Sequence, residues 1–198
     1  NYHNVEGFTK NEDFKITGVK GWDKLNNQIV TVKANVVINA TGTLTDQIGD
    51  IDEPVVKHKN VMAAQGTHLV FNREIFDSAH ALVIPKTIDK RLLFVLPWHD
   101  KVLVGTTDIV VEKPVLDPVA MEREIDFILE TLNNYTKTTI TRADIKSVFT
   151  GLRPLVKPEH KTNSSKISRK HEILLSLSGL ISIVGGKWTI YRLMGEDT

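Results

Sequence analysis

The chain has 198 residues, 41% of them hydrophobic, with 25 Lys and Arg against 24 Asp and Glu and no cysteine. That length and apolar content suit one ordinary globular domain, or one and part of another, and the balanced charge gives no electrostatic basis for binding nucleic acid. Absence of cysteine excludes a disulfide scaffold and thiolate metal sites and fits a reducing compartment, and no apolar run approaches the roughly 20 residues of a spanning helix. The opening Asn1-Tyr2-His3-Asn4 shows neither an initiator methionine nor a signal pattern and reads as the interior of a longer protein.

In chain order, Phe14–Trp22 and Gln28–Lys33 alternate apolar with polar residues around Lys24–Asn27, which predicts a hairpin. Val36-Val37-Ile38 breaks the alternation, as a strand buried on both faces does, and ends in Ala40-Thr41-Gly42. Small residues at such a carboxyl end let a ligand approach, although a plain strand-to-helix turn has the same form. Val61–Phe71, Ala79–Ile84, Leu92–Leu96 and Val102–Thr106 then read as short strands of an antiparallel sheet. Gly66-Thr67-His68 interrupts the first, and a glycine there signals a bulge or a close backbone approach. Of seven histidines no pair has metal-ligand spacing, so no metal is expected, and His68 is the one functional candidate.

Asp117-Pro118 is expected to open a helix running to Asn134, with Met121, Ile125, Ile128, Leu129 and Leu132 on the face turned to the sheet. Thr141-Arg142-Ala143-Asp144 resembles a capping box for a short helix. Ser147–Leu155 reads as a strand that ends at Arg153-Pro154, since proline cannot continue a central ladder; this puts an arginine fork at a strand tip, suited to a carboxylate or phosphate. Pro158–Lys170 reads as a polar surface loop. His171–Leu177 and Leu180–Val184 form a hairpin about Ser178-Gly179 and deliver the chain to Gly185-Gly186. There the paired glycines allow close approach to something bulky, and a helix beginning near Lys187 would turn its N–H groups toward an anion or an electron-rich ring edge. A tight turn alone is the competing explanation.

Val37–Gly42, Gly66–His68, Val104–Asp108, Gly151–Leu155 and Gly185–Arg192, in that order, resemble the FAD-dependent glycerol-3-phosphate dehydrogenases. The resemblance spans residues 34 to 192. It implies an α+β chain of the D-amino-acid-oxidase-like type: residues 1–50 and 171–198 from an FAD-binding α/β domain, and 51–170 an antiparallel substrate domain with a helix on one face. It implies FAD contacts from Ala40, Thr41, Gly42, Gly185, Gly186, Lys187, Trp188 and Thr189. Oxidation of sn-glycerol 3-phosphate to dihydroxyacetone phosphate would then fall to Arg153, Lys187 and His68, with electrons passed to quinone. Such an enzyme is cytoplasmic or peripheral at the inner face of the membrane.

Two departures from the family pattern stand out. The family commonly has lysine where this chain has Gln65, and two threonines before the tyrosine where this chain has Thr189-Ile190. No Gly-x-Gly occurs in the chain, so the pyrophosphate cradle of the family is missing, and these residues alone are expected to retain no FAD and to show no turnover. Exposed apolar surface would then favour self-association. A glycerophosphate oxidase using oxygen, and a non-catalytic binding module of the same fold, are the alternatives.

Overall fold

Residues 1–55, 59–85, 87, 91–157, 167 and 169–198 are described by the computed structural model of the chain. The elements in order are β1 (His3–Lys10), β2 (Ile16–Asp23), β3 (Gln28–Lys33), β4 (Val37–Asn39), α1 (Thr45–Asp52), β5 (Val61–Asn72), β6 (Leu82–Ile84), β7 (Leu93–Trp98) and β8 (Lys101–Gly105). There follow β9 (Ile109–Val111), α2 (Glu122–Asn133), β10 (Ile145–Val156), β11 (His171–Leu175), β12 (Leu180–Gly185) and α3 (Tyr191–Asp197). The chain divides into two compact units, one made of the described residues of 1–62 and those from Pro154 onward, the other of Ala63–Arg153.

The first unit holds two small sheets. In one, β1, β2 and β3 lie in that order, all antiparallel. The expected hairpin is β2–β3, with Asp23 opposite Gln28. Its turn is built by the Asp23 carboxylate, which accepts the N–H groups of Leu25 (2.9 Å) and Asn26 (3.2 Å), an Asx-type closure. Strand β1 had no clear alternating signal; its ladder slips between Val5 and Gly7, where a residue without a side chain breaks the period. The other sheet runs β11-β12-β4, with β11 antiparallel and β4 parallel to β12.

Burial of Val36–Ile38 on both faces is corrected by this topology. Strand β4 is an outer strand of three residues, and Ile38 keeps 52% of its surface exposed. Helix α1, which a run with three aspartates and a glycine does not advertise, is tied down at its end. Asp52 pairs with Lys10 at 2.7 Å and accepts the Ser178 and Ser176 hydroxyls at 2.6 and 3.0 Å. Burial raises the Asp52 carboxyl, but these donors outweigh it and hold the group below its ordinary value.

The second unit is organised by a six-stranded sheet in the order β10-β5-β8-β7-β6, with β9 also on β5. Every pair among β5 to β9 is antiparallel, as the spacing of the short runs predicts. Leu69, Phe71, Leu93, Val95, Val102 and Val104 from the strands join Ile128, Leu129 and Leu132 of α2 in one buried cluster. The apolar stripe of the helix is therefore core. The helix starts at Glu122, four residues later than Asp117 as cap and Pro118 as first residue would place it. The Val119 carbonyl is drawn to the Gln65 amide (3.0 Å), and Glu124 reaches back to cap the Met121 N–H (2.9 Å), so the first turn is set there.

The Thr141–Asp144 box closes a 3-10 turn, with the Asp144 carboxylate accepting the Thr141 N–H at 2.7 Å. Strand β10 does not stop at Pro154 but continues to Val156. As an outer strand of its sheet it tolerates the missing proline donor, so Arg153 lies within the strand and not at its tip. The loop expected over Pro158–Lys170 lies mostly outside the described residues. Among the described residues no helix is long and apolar enough to cross a membrane.

Candidate functional site

Strand alternation sorts β5 into two sets: Gly66 and His68 point to one face, Gln65 and Thr67 to the other. On the first face the guanidinium of Arg153 lies directly over Gly66, so that a Cβ at position 66 would overlap its terminal nitrogens. This is the close approach that a glycine inside a strand signals. Arg153 donates to the Thr106 hydroxyl at 2.8 Å and to the Thr107 carbonyl at 3.3 Å, and its guanidinium stands 3.6 Å from the Asp108 carboxylate. Arg91 holds the other oxygen of Asp108 at 2.6 Å. Two arginines thus share one acid. The Arg153 side chain keeps 30% exposure.

His68 sits two residues further along the same face. Its ring stacks on Phe149 with centroids 4.9 Å apart and planes 9° from parallel. Gly105 faces it across the β5–β8 ladder, and a Cβ there would come within 2.7 Å of the His68 Cγ. Burial and, after it, the Arg153 charge push the imidazole below its ordinary value, so it is neutral near pH 7. A neutral imidazole half-buried beside a fixed cation can accept a proton from a group that the cation holds.

In the first unit the parallel register of β4 and β12 brings the other candidates to one sheet edge. Leu180, Ile181 and Ser182 pair with Val37, Ile38 and Asn39, so Ala40-Thr41-Gly42 and Gly185-Gly186 leave neighbouring strands at the same end. Asn39, buried and unremarkable in the sequence, builds the first turn. Its amide donates to the Thr45 carbonyl (3.0 Å) and to Ser182 Oγ (3.2 Å), and its oxygen accepts the Thr41 hydroxyl (2.7 Å). Gly42 adopts φ +62, and a Cβ on it would meet nothing nearer than Pro154 Cγ at 4.0 Å.

The glycine pair behaves differently from its sequence expectation. A Cβ on Gly185 would meet the Lys170 carbonyl and Val156 at 2.7 Å, and one on Gly186 would meet Met194 Sδ at 2.5 Å. What crowds these glycines is the chain itself. The helix expected near Lys187 begins as a 3-10 turn over Trp188–Ile190, with Lys187 as its N-cap, and becomes α3 at Tyr191. The β-branched and aromatic side chains of Trp188-Thr189-Ile190 pay an entropic penalty in a regular helix, and the tighter turn is closed by the Ile190 N–H on the Lys187 carbonyl at 3.0 Å. Lys187, Trp188 and Thr189 remain exposed at this edge.

The residues missed by sequence reasoning are Asp108, Arg91, Phe149, Thr107 and Asn39. Asp108 and Thr107 stand in a string already singled out, but their partners Arg91, Thr67, Glu124 and Arg153 come from other elements, which no local pattern reveals. Among the described residues no cluster could hold a metal ion.

The profile of FAD-dependent oxidoreductases matches residues 1–192. The chain belongs to the FAD-dependent oxidoreductase family. Among its relatives, the probable glycerol-3-phosphate dehydrogenase of Encephalitozoon cuniculi is 35% identical over 94% of this chain and 30% of its own length. The solved glycerol-3-phosphate dehydrogenase of Bacillus halodurans, complexed with FAD, superposes with a TM-score of 0.85 at 34% identity, over 100% of this chain and 37% of that one. The L-alpha-glycerophosphate oxidase of Mycoplasma pneumoniae has the same fold, with a TM-score of 0.58 at 16% identity over 93% of this chain and 44% of that one. The chain therefore spans about a third of the length of these two glycerol-3-phosphate dehydrogenase relatives. For this member of the family, the D-amino-acid-oxidase-like fold expected from the sequence motifs is the one found.

Proposed function

We propose that this chain supplies the substrate-facing sheet and part of the flavin-facing edge of an FAD-dependent glycerol-3-phosphate dehydrogenase. The observation that carries this is the Arg153 guanidinium, laid on Gly66 and braced by Thr106, Thr107 and Asp108 beside a neutral His68. The second unit is the substrate domain, and the first contributes to the FAD domain.

Arg153 fixes an oxyanion of glycerol 3-phosphate through its planar fork. His68 takes the proton of the C2 hydroxyl as the carbonyl of dihydroxyacetone phosphate forms. The residues at the edge of β4 and β12 suit FAD: the turn at Gly42 is open, and Ala40, Thr41, Lys187, Trp188 and Thr189 are exposed there. Gly185 and Gly186 shape that edge. The dinucleotide phosphates would rest on a glycine-rich turn outside these 198 residues, which contain no Gly-x-Gly. Bound FAD supplies the acceptor for the hydride leaving C2. Quinone is the acceptor that fits a dehydrogenase, reached from a peripheral position at the membrane; an oxygen electrode distinguishes it from an oxidase.

Arg153→Lys in the intact, FAD-loaded enzyme that contains these residues tests the assignment. The charge survives but the fork does not, and kcat/KM for glycerol 3-phosphate is expected to fall by about 2–4 kcal/mol, the cost of breaking a buried charge-assisted contact. Unchanged kcat/KM with a lowered melting temperature would mean that Arg153 only pins its strand to Asp108.

A further inference from the structure

Behind the site, on the opposite face of β5, lies a carboxylate that the reaction does not touch. Glu124, at the first turn of α2, is 0% exposed. Its Oε2 accepts the Met121 N–H at 2.9 Å and the Gln65 amide at 2.6 Å, while Oε1 accepts the Thr107 hydroxyl at 2.5 Å. Capping the helix needs Oε2 alone, and an N-terminal cap is a modest gain beside the desolvation of a carboxylate. Oε1 is committed to Thr107.

Thr107 is held from three further directions. Its hydroxyl oxygen accepts the Thr67 N–H at 2.8 Å, its own N–H donates to the Thr67 carbonyl at 3.4 Å, and its carbonyl accepts from Arg153 at 3.3 Å. The neighbouring Thr106 hydroxyl donates to that same carbonyl at 3.0 Å and accepts the other Arg153 nitrogen at 2.8 Å. The hydroxyl of Thr107 has one proton, and it goes to Glu124. With that proton placed, the Thr107 carbonyl and the Thr106 hydroxyl become two fixed acceptors spaced for a guanidinium.

We propose that Glu124 is a positioning residue for Arg153, acting through Thr107, so that the start of α2 sets the orientation of the substrate-binding fork. The inference rests on the assignment of Arg153 to substrate binding. It accounts for burial of an acid among neutral donors and for the run of two threonines before Asp108.

The test is a double-mutant cycle in the intact, FAD-loaded enzyme that contains these residues, assayed with glycerol 3-phosphate. Thr107→Val keeps the shape and removes the hydroxyl; kcat/KM is expected to fall at least tenfold, mainly through KM, and Thr107→Ser to recover it to within threefold. In an Arg153→Lys background the same Thr107→Val change is expected to cost less than threefold, because the fork it orients is already gone. Glu124→Gln turns an amide N–H₂ toward existing donors, and is expected to reproduce the Thr107→Val loss without adding to it. Equal costs of Thr107→Val in both backgrounds, or no recovery with Ser, would overturn the proposal while leaving Arg153 in the site. A wild-type kcat/KM for Arg153→Lys alone would remove the assignment and the proposal together. The Thr107 cycle decides the matter even where Glu124→Gln does not fold.

Discussion

The two units of this chain solve the burial problem to very different degrees. In the second, strands β5, β7 and β8 and helix α2 share one continuous apolar cluster, with Leu69, Phe71, Val95, Val102, Val104 and Ile128 all 0% exposed. The first places few large apolar side chains out of water, chiefly Leu155, Leu180 and Val184, and leaves Ile38 of β4 and Leu175 of β11 at 52% and 72% exposure. A self-contained core can hold a polar site to fixed geometry; two thin sheets whose outer strands face solvent cannot do so by packing alone. The cation fork and imidazole sit in the unit with the core. The turns proposed to face the flavin sit in the other.

The sharpest way to break this contrast is by truncation. Ile128→Ala is expected to destabilise the second unit by about 2–5 kcal/mol, the range for deleting a fully buried side chain. Leu177→Ala, at a position 84% exposed, should stay within about 0.5 kcal/mol. Urea unfolding of both variants measures the difference, and comparable losses would mean that the two units share one cooperative core.

Next in size is Gly66→Ala. The added methyl occupies the space of the Arg153 guanidinium, and overpacking of this kind costs about 1–3 kcal/mol. Activity is expected to fall further than stability, because the displaced group is the one proposed to bind substrate. A variant with native melting temperature and native kcat/KM would show that Arg153 has room to move.

The contrast extends to acid. His68 in the second unit lies below its ordinary value of 6.5 through burial and the Arg153 charge. Between that lowered value and 6.5 the unfolded chain holds the proton and the folded unit does not, so stability rises with pH across the window and is level above it. Asp52 in the first unit is also held low: its contribution is complete above 3.8 and is lost as pH falls through the folded value. Melting temperature against pH should therefore show two steps, and His68→Asn should remove only the upper one. The acid limb of kcat/KM is expected to follow the same imidazole.

The smallest effect concerns solution behaviour. The 198 residues alone are expected to scatter light with an apparent mass that rises with concentration, and Ile38→Thr with Leu175→Thr to reduce that rise. A concentration-independent monomer before substitution would contradict it.

Legibility in the sequence follows the same division. Strands β5 to β8 and β10 of the second unit were readable because each alternates or runs apolar between turn residues, whereas the three-residue β9 was not; Arg153 and His68 stood out as polar residues where that pattern broke. Strand β1 and helix α1 were not, since Gly7 interrupts one and aspartates dilute the other. Thr107 and Glu124 carry no local signature; they are 17 residues apart and meet only because α2 folds back onto its sheet. Gly185-Gly186 misled in an instructive way. Glycine reports that space is taken, and here Val156, Lys170 and Met194 take it.

Gln65 has a consequence of another kind. Its amide nitrogen serves two acceptors, the Val119 carbonyl and Glu124. A lysine ammonium, which donates and never accepts, satisfies the same two from the same place. Exchanging one for the other would add a full elementary charge on this side of β5 while both acceptors keep a donor. A substitution at position 65 would thus place a charge on the face of β5 opposite Arg153 and His68.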